Sequence, residues 1–121
     1  MSGEKTILII DDDVSTLQIL LLILQNAGYN VESASDHNLK FLQTKNYPDL
    51  IILDNNLGLK SGSEICKELK GNTDTKHIPV VMISAIDNIQ QLANEACADG
   101  FISKPFGIQQ MLDKINEVID N

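Results

Sequence analysis

Residues 6–13 read Thr-Ile-Leu-Ile-Ile-Asp-Asp-Asp, an apolar run rich in β-branched residues that stops at three carboxylates. Such a run, with no polar alternation, suits a strand buried on both faces, and hence a parallel sheet covered by helices. Asp49-Leu-Ile-Ile-Leu53 and Ile78-Pro-Val-Val-Met-Ile83 repeat the pattern, and shorter, weaker strands are expected at Asn30–Ala34 and Gly100–Ser103. Helical stretches lie between and beyond them. The first covers 14–27 and ends at Gly28, suited to a left-handed cap. Others are expected at 36–44 and 87–98, each opened by a capping Asp, at 61–70 before Gly71, and at 107–119. Five alternating units predict one α/β domain over 1–121: a doubly wound five-stranded parallel sheet with five helices on both faces.

The length of 121 residues fits one domain with a real core. Seventeen acidic residues against nine basic ones give a net charge of −8, and all nine basics are lysine. That balance disfavours nucleic acid and anionic membranes, but an acidic sheet edge attracts a divalent cation. Cys66 and Cys97 form no zinc or disulfide spacing and read as small hydrophobes of a reducing cytosol. Residues 1–6 are polar, with no signal peptide, and the longest apolar run, 19–24, is far too short to span a bilayer. A cytoplasmic protein is expected.

The informative polar residues stand just past strand ends: Asp11, Asp12 and Asp13 after the first, Asp54 after the third, Ser84 after the fourth and Lys104 after the fifth. Open α/β sheets bind ligands at that carboxyl edge. If the first and third strands are neighbours, Asp11, Asp12 and Asp54 converge, and three carboxylates together need a compensating cation. Mg2+, hard and oxygen-seeking, is the natural candidate. A carboxylate beside it can attack phosphorus and become an aspartyl-phosphate, with Lys104 and Ser84 placed to hold phosphate oxygens. Taken singly, an acidic run is more often a helix-capping turn, Asp54 a turn residue and Lys104 a surface lysine. Their equivalent placement on successive strands favours the site. No P-loop, GxGxxG or GxSxG motif occurs.

These residues resemble the response-regulator receiver family of two-component signalling, over nearly the whole chain. Ile7-Leu-Ile-Ile-Asp11-Asp12 resembles its first strand and acidic pair, and Asp49-Leu-Ile-Ile-Leu-Asp54 its phosphoacceptor strand. Gly62 matches a glycine of the following loop, Pro79-Val-Val-Met-Ile-Ser84-Ala85 the strand ending in Ser or Thr, and Gly100-Phe101-Ile-Ser-Lys104-Pro105-Phe106 the lysine–proline strand. The resemblance implies a flavodoxin-like fold with strand order 2-1-3-4-5 and a cis peptide before Pro105. It implies that Asp54 is the nucleophile, that Asp12 binds Mg2+ directly and Asp11 mainly through water, and that Asn56 gives its backbone carbonyl to the metal. Ser84 and Phe101 would be the switch residues, and a sensor histidine kinase or histidine phosphotransfer protein the partner. Three departures stand out: Gly58 where the family usually has proline, Lys60 and Ser61 where it has an apolar residue and an acid, and the apolar Ile86, which cannot position a hydrolytic water.

Two rivals differ in class. Asp11-Asp12-Asp13-Val14-Ser15 also resembles the start of haloacid-dehalogenase-type phosphatases, with Asp11 as nucleophile and Asp13 as general acid, but the later acidic motif is missing. The other rival is a receiver-like interaction module that accepts no phosphate, against which Asp11, Asp12, Asp54 and Lys104 all stand. The reading is therefore a signalling domain and not a turnover enzyme. Phosphorylation is expected to act on a face carrying Gln90, Gln91, Asn94, Gln109 and Gln110, without the arginine contacts of charged dimers. In the first helix, an inward stripe of Ile19, Leu20, Ile23, Leu24 and Ala27 would leave Leu17 and Leu21 outward as anchors for the phosphodonor's helical bundle.

Overall fold

The computed structural model of the chain describes residues 5–34, 47–57 and 60–119, apart from the side chains at 56, 57 and 60. The elements run β1 (Thr6–Ile10), α1 (Val14–Asn26), β2 (Asn30–Ala34), β3 (Leu50–Asp54), β4 (Asn56–Leu57), β5 (Lys60–Ser61), α2 (Gly62–Gly71), β6 (Val80–Ser84), α3 (Ile89–Glu95), β7 (Gly100–Ser103) and α4 (Ile108–Ile119). Strands β2-β1-β3-β6-β7 form one parallel sheet, while β4 and β5 pair antiparallel as a separate two-residue hairpin. Counting only the main sheet, this is the expected order 2-1-3-4-5. Four helices are present among the described residues, not five; the helix expected at 36–44 lies outside them.

The apolar runs are continuous because each strand feeds two cores. Ile7 and Ile9 join Ile52, Val81 and Ile83 on the face covered by α1 and α4. Leu8 and Ile10 join Ile51, Leu53 and Met82 on the face covered by α2 and α3. Successive side chains point to opposite faces, so a strand sandwiched between helix layers has no polar position to spare.

Helix α1 is rotated from the expected orientation. Leu20, Ile23 and Leu24 are buried, with Leu17 packed against the same core. Ile19 and Leu22, however, are 51% and 65% exposed, Ala27 is exposed, and Leu21 is half-buried. The inward stripe follows 17-20-24, and the residues expected to face outward, Leu17 and Leu21, are partly covered. Apolar side chains occupy every position from 19 to 24, so periodicity admits more than one stripe and packing chooses.

Helix α3 is shorter than the expected 87–98. Its N-cap is Asn88, which makes no side-chain capping bond, and Asp87 does not cap. Its end is a Schellman turn: the Cys97 amide donates to the Asn94 carbonyl and the Ala98 amide to the Ala93 carbonyl, at 3.2 and 2.9 Å. Cys97 sits in the left-handed region at φ +62°, the place where glycine is favoured. Replacing it by glycine removes the Cβ penalty but adds unfolded-chain entropy. Cys97→Gly is therefore expected to stabilise the fold by about 0.5–1 kcal/mol, read as a higher urea midpoint at constant slope. Cys66 is fully buried on α2, and burial pushes its thiol up to about 11, which makes it an inert core residue.

Candidate phosphoacceptor site

Three strand ends meet at the carboxyl edge. Parallel pairing sets Ile10 beside Leu53 and Asp54 beside Ile83, so Asp11, Asp54 and Ser84 emerge on the same edge of adjacent strands. Asp11, Asp12 and Asp54 each offer a carboxylate oxygen, and these oxygens lie within 4.8 Å of one another. Asp11 and Asp54 are buried and Asp12 is exposed. Lys104, just past the end of β7 and joined to Pro105 by a cis peptide, holds Nζ 3.3 Å from Asp54 Oδ1 and 3.6 Å from Asp11 Oδ2. Its backbone amide donates to the Ser84 carbonyl at 2.8 Å, fixing the lysine beside the strand end that carries Ser84.

Among the described residues, Lys104 stands beside two of the three carboxylates, and Asp11 Oδ2 is a buried oxygen with no hydrogen-bond partner, 3.6 Å from the Lys104 ammonium. Burial pushes the Asp11 carboxyl above its ordinary range, while the Asp13 amide, at 2.8 Å from Oδ1, and the Lys104 charge pull the other way. A buried acceptor oxygen in a nest of carboxylates fits a hard cation such as Mg2+.

Asp13 is turned away from this cluster. Its carboxylate caps α1, accepting from the Ser15 amide at 3.1 Å and the Thr16 hydroxyl at 2.8 Å. The Thr16 hydroxyl foremost, with the Ser15 amide, holds its carboxyl below the ordinary range. Engaged as the helix cap, Asp13 is not among the carboxylates that converge with Asp54, where the phosphatase reading needs its general acid.

The loop after Asp54 is locked to the start of α2. Ser61 Oγ accepts from the Glu64 amide at 3.2 Å while Glu64 Oε1 accepts from the Ser61 amide at 3.4 Å, a complete capping box. A Cβ added at Gly62 would lie 2.3 Å from the Asp54 carbonyl oxygen, so only glycine lets the helix approach so closely.

The sequence model for the response regulator receiver domain matches residues 7–116. The chain belongs to that family. The receiver is 34% identical over 116 residues to the DNA-binding dual master transcriptional regulator RpaA of Synechocystis, covering 93% of this chain and 48% of that protein. It is 35% identical to the phosphate regulon regulator PhoB of Pseudomonas aeruginosa, covering 95% and 52%. It thus spans about half the length of these curated relatives. A putative response regulator from Chloroflexus aurantiacus superposes with a TM-score of 0.90 at 31% identity, covering 98% of this chain and 100% of that one. Accepting a phosphoryl group on aspartate is the function of receiver domains.

In the receiver, Asp11, Asp12, Asp54 and Lys104 are brought together as expected. Ser84 is buried beside them, its Oγ accepting from the Ile86 amide at 3.2 Å. Phe101 is half-buried against the α2–α3 core, across from Met82. Asn56 opens the β4–β5 hairpin; its side chain, Lys60's side chain and Gly58 lie outside the described residues. Gln90, Gln91, Asn94, Gln109 and Gln110 are all exposed. Sequence reasoning missed the Ser61-x-x-Glu64 capping signature, which is legible, and the bond from the Ser63 amide to Asn55 Oδ1, which is not. Among the described residues no helix is long and apolar enough to cross a membrane.

Proposed function

We propose that Asp54 is the phosphoacceptor, with Mg2+ held by Asp11, Asp12, Asp54 and the backbone carbonyl of Asn56. The observation that carries this is the convergence of three carboxylates, two of them beside Lys104, with one buried Asp11 oxygen lacking a hydrogen-bond partner. When bound, Mg2+ offsets the carboxylate charge and that of the incoming phosphoryl oxygens. An Asp54 carboxylate oxygen forms the new bond to phosphorus as the bond to the donor's imidazole nitrogen breaks, and the donor leaves as free histidine. Lys104 supplies a fixed positive charge beside Asp54, and the Ser84 hydroxyl can leave the Ile86 amide for a phosphoryl oxygen, with Phe101 following as the second switch residue. The product is a covalently marked domain and not a released one, so no turnover is expected.

Mg2+ is expected to raise the melting temperature of the metal-free protein, by the equivalent of about 2.7 kcal/mol at a hundredfold excess over Kd. Asp11→Asn removes one of the repelling charges and should abolish the response to metal. An Asp11→Asn protein that gains as much as wild type from Mg2+ would remove Asp11 from the metal site.

The same reading assigns a sensor histidine kinase or histidine phosphotransfer protein as donor and the cytoplasm as location, in keeping with two free thiols. Ile19, Leu22 and Ile108, with exposures of 51%, 65% and 62%, line a groove of about 370 Å3 between α1 and α4. Ile19 also lines a second groove that reaches Lys104. An apolar surface continuous with the site is where a helical donor must rest if its phosphohistidine is to reach Asp54. Leu22→Glu should therefore slow transfer from the histidine donor about tenfold or more and leave labelling by acetyl phosphate unchanged. Equal donor rates before and after would move the docking face elsewhere. Leu21 is a poor probe of this surface because it is half-buried.

A further inference from the structure

Asn55 is tied down on three sides. Its amide donates to the Ile83 carbonyl on β6 at 3.1 Å, and its carbonyl accepts from the Gly62 amide at 2.9 Å. Its side-chain Oδ1 accepts from the Ser63 amide at 3.1 Å. Gly62, Ser63 and Glu64 are the first three residues of α2, whose amides have no partner within the helix. Ser61 satisfies only the Glu64 amide; Asn55 satisfies the other two. The residue between Asp54 and Asn56 therefore joins the sheet edge to a ten-residue helix.

We infer that Asn55 is a positioning residue for the phosphoryl-transfer site, its carboxamide fixing the Asp54 carboxylate and the Asn56 carbonyl by anchoring their shared backbone to the N-terminus of α2. This rests on the assignment of Asp54 and Asn56 made above. The backbone bonds at Asn55 would be available to any residue, whereas the bond to Ser63 needs a short side chain ending in an acceptor. Without it, among the described residues the hold of Asn55 on α2 is reduced to the one bond from the Gly62 amide, and the Ser63 amide is left without its acceptor. Movement of the residue 55 backbone then displaces the flanking Cα atoms of Asp54 and Asn56, and with them the two proposed metal oxygens that these residues carry. Groups that orient ligands in this way typically govern metal affinity by about 10–100-fold.

The test is Mg2+ titration by calorimetry, at a temperature where every variant is fully folded, on wild type, Asn55→Ala, Asn55→Asp and Ser61→Ala. Asn55→Ala should weaken Mg2+ binding about tenfold and slow labelling by acetyl phosphate similarly. Asn55→Asp keeps an acceptor for the Ser63 amide and should retain wild-type affinity or better. Ser61→Ala removes a cap from the same helix, so it should lower the melting temperature yet leave Mg2+ affinity within about twofold. If Asn55→Ala instead behaves like Ser61→Ala, losing stability alone, Asn55 is only a helix cap and the inference is overturned. Asn55→Asp binding as weakly as Asn55→Ala overturns it too. A wild-type protein that binds no Mg2+ would instead overturn the metal site itself.

Discussion

Asp54→Asn is expected to lose labelling by acetyl phosphate to background, a fall of at least about 1000-fold, with little change in stability. The substitution keeps the shape of the side chain and its place at the end of β3, where the strand is buried and paired on both edges. What it removes is the anionic oxygen that must attack phosphorus, and the neutral carboxamide has no lone pair of comparable reactivity. It also takes one negative charge from beside Asp11 and Asp12, so the metal-free variant should melt no lower than wild type. Retained Mg2+-dependent labelling with an unchanged rate would show that another carboxylate carries the phosphoryl group. Asp11 and Asp12 would be the first to examine.

Gly62→Ala should damage both fold and function. The added Cβ would meet three backbone atoms: the Asp54 carbonyl oxygen at 2.3 Å, the Asn55 Cα at 2.8 Å and the Asp54 carbonyl carbon at 2.9 Å. None is the tip of a flexible side chain, so either α2 moves away from the sheet or the Asp54–Asn55 peptide moves. Overpacking of this kind costs about 1–3 kcal/mol, and the upper end applies where backbone must give. The Asn55 bonds to the Gly62 and Ser63 amides resist separation, which directs part of the displacement into the Asp54 peptide. Displacing a nucleophile by a fraction of an ångström can slow transfer tenfold or more. Gly62→Ala is thus expected to lose about 2–3 kcal/mol in a urea titration, and at least about tenfold in the labelling rate of its folded fraction. A variant that loses stability yet labels at the wild-type rate would show that the helix yields and the site does not.

The main strands were legible because their environment demands one composition. Strands such as Thr6–Ile10 and Leu50–Asp54 feed cores on both faces, and only an unbroken apolar run meets that demand. The site was legible for a related reason: at the carboxyl edge the apolar run must stop, so Asp11, Asp54, Ser84 and Lys104 stand out against what precedes them. The order of strands came from the family resemblance, since nothing in local pattern says which runs are neighbours. The facing of α1 was lost because Ile19 to Leu24 offers apolar residues to every direction. The end of α3 was placed late because Cys97 occupies the left-handed position where glycine would have marked the stop. Asn55 left no trace, since the bond from the Ser63 amide joins residues eight apart across a turn that periodicity does not describe.

The phosphoryl group is expected to come to rest on Asp54. The direct measurement is to label the wild-type protein with acetyl phosphate and Mg2+, trap the acyl phosphate by borohydride reduction, and locate the reduced residue by peptide mass spectrometry. Homoserine at position 54, absent when Mg2+ is chelated, is the result predicted. Reduction at position 11, 12 or 13, or labelling that persists in chelator, would contradict it.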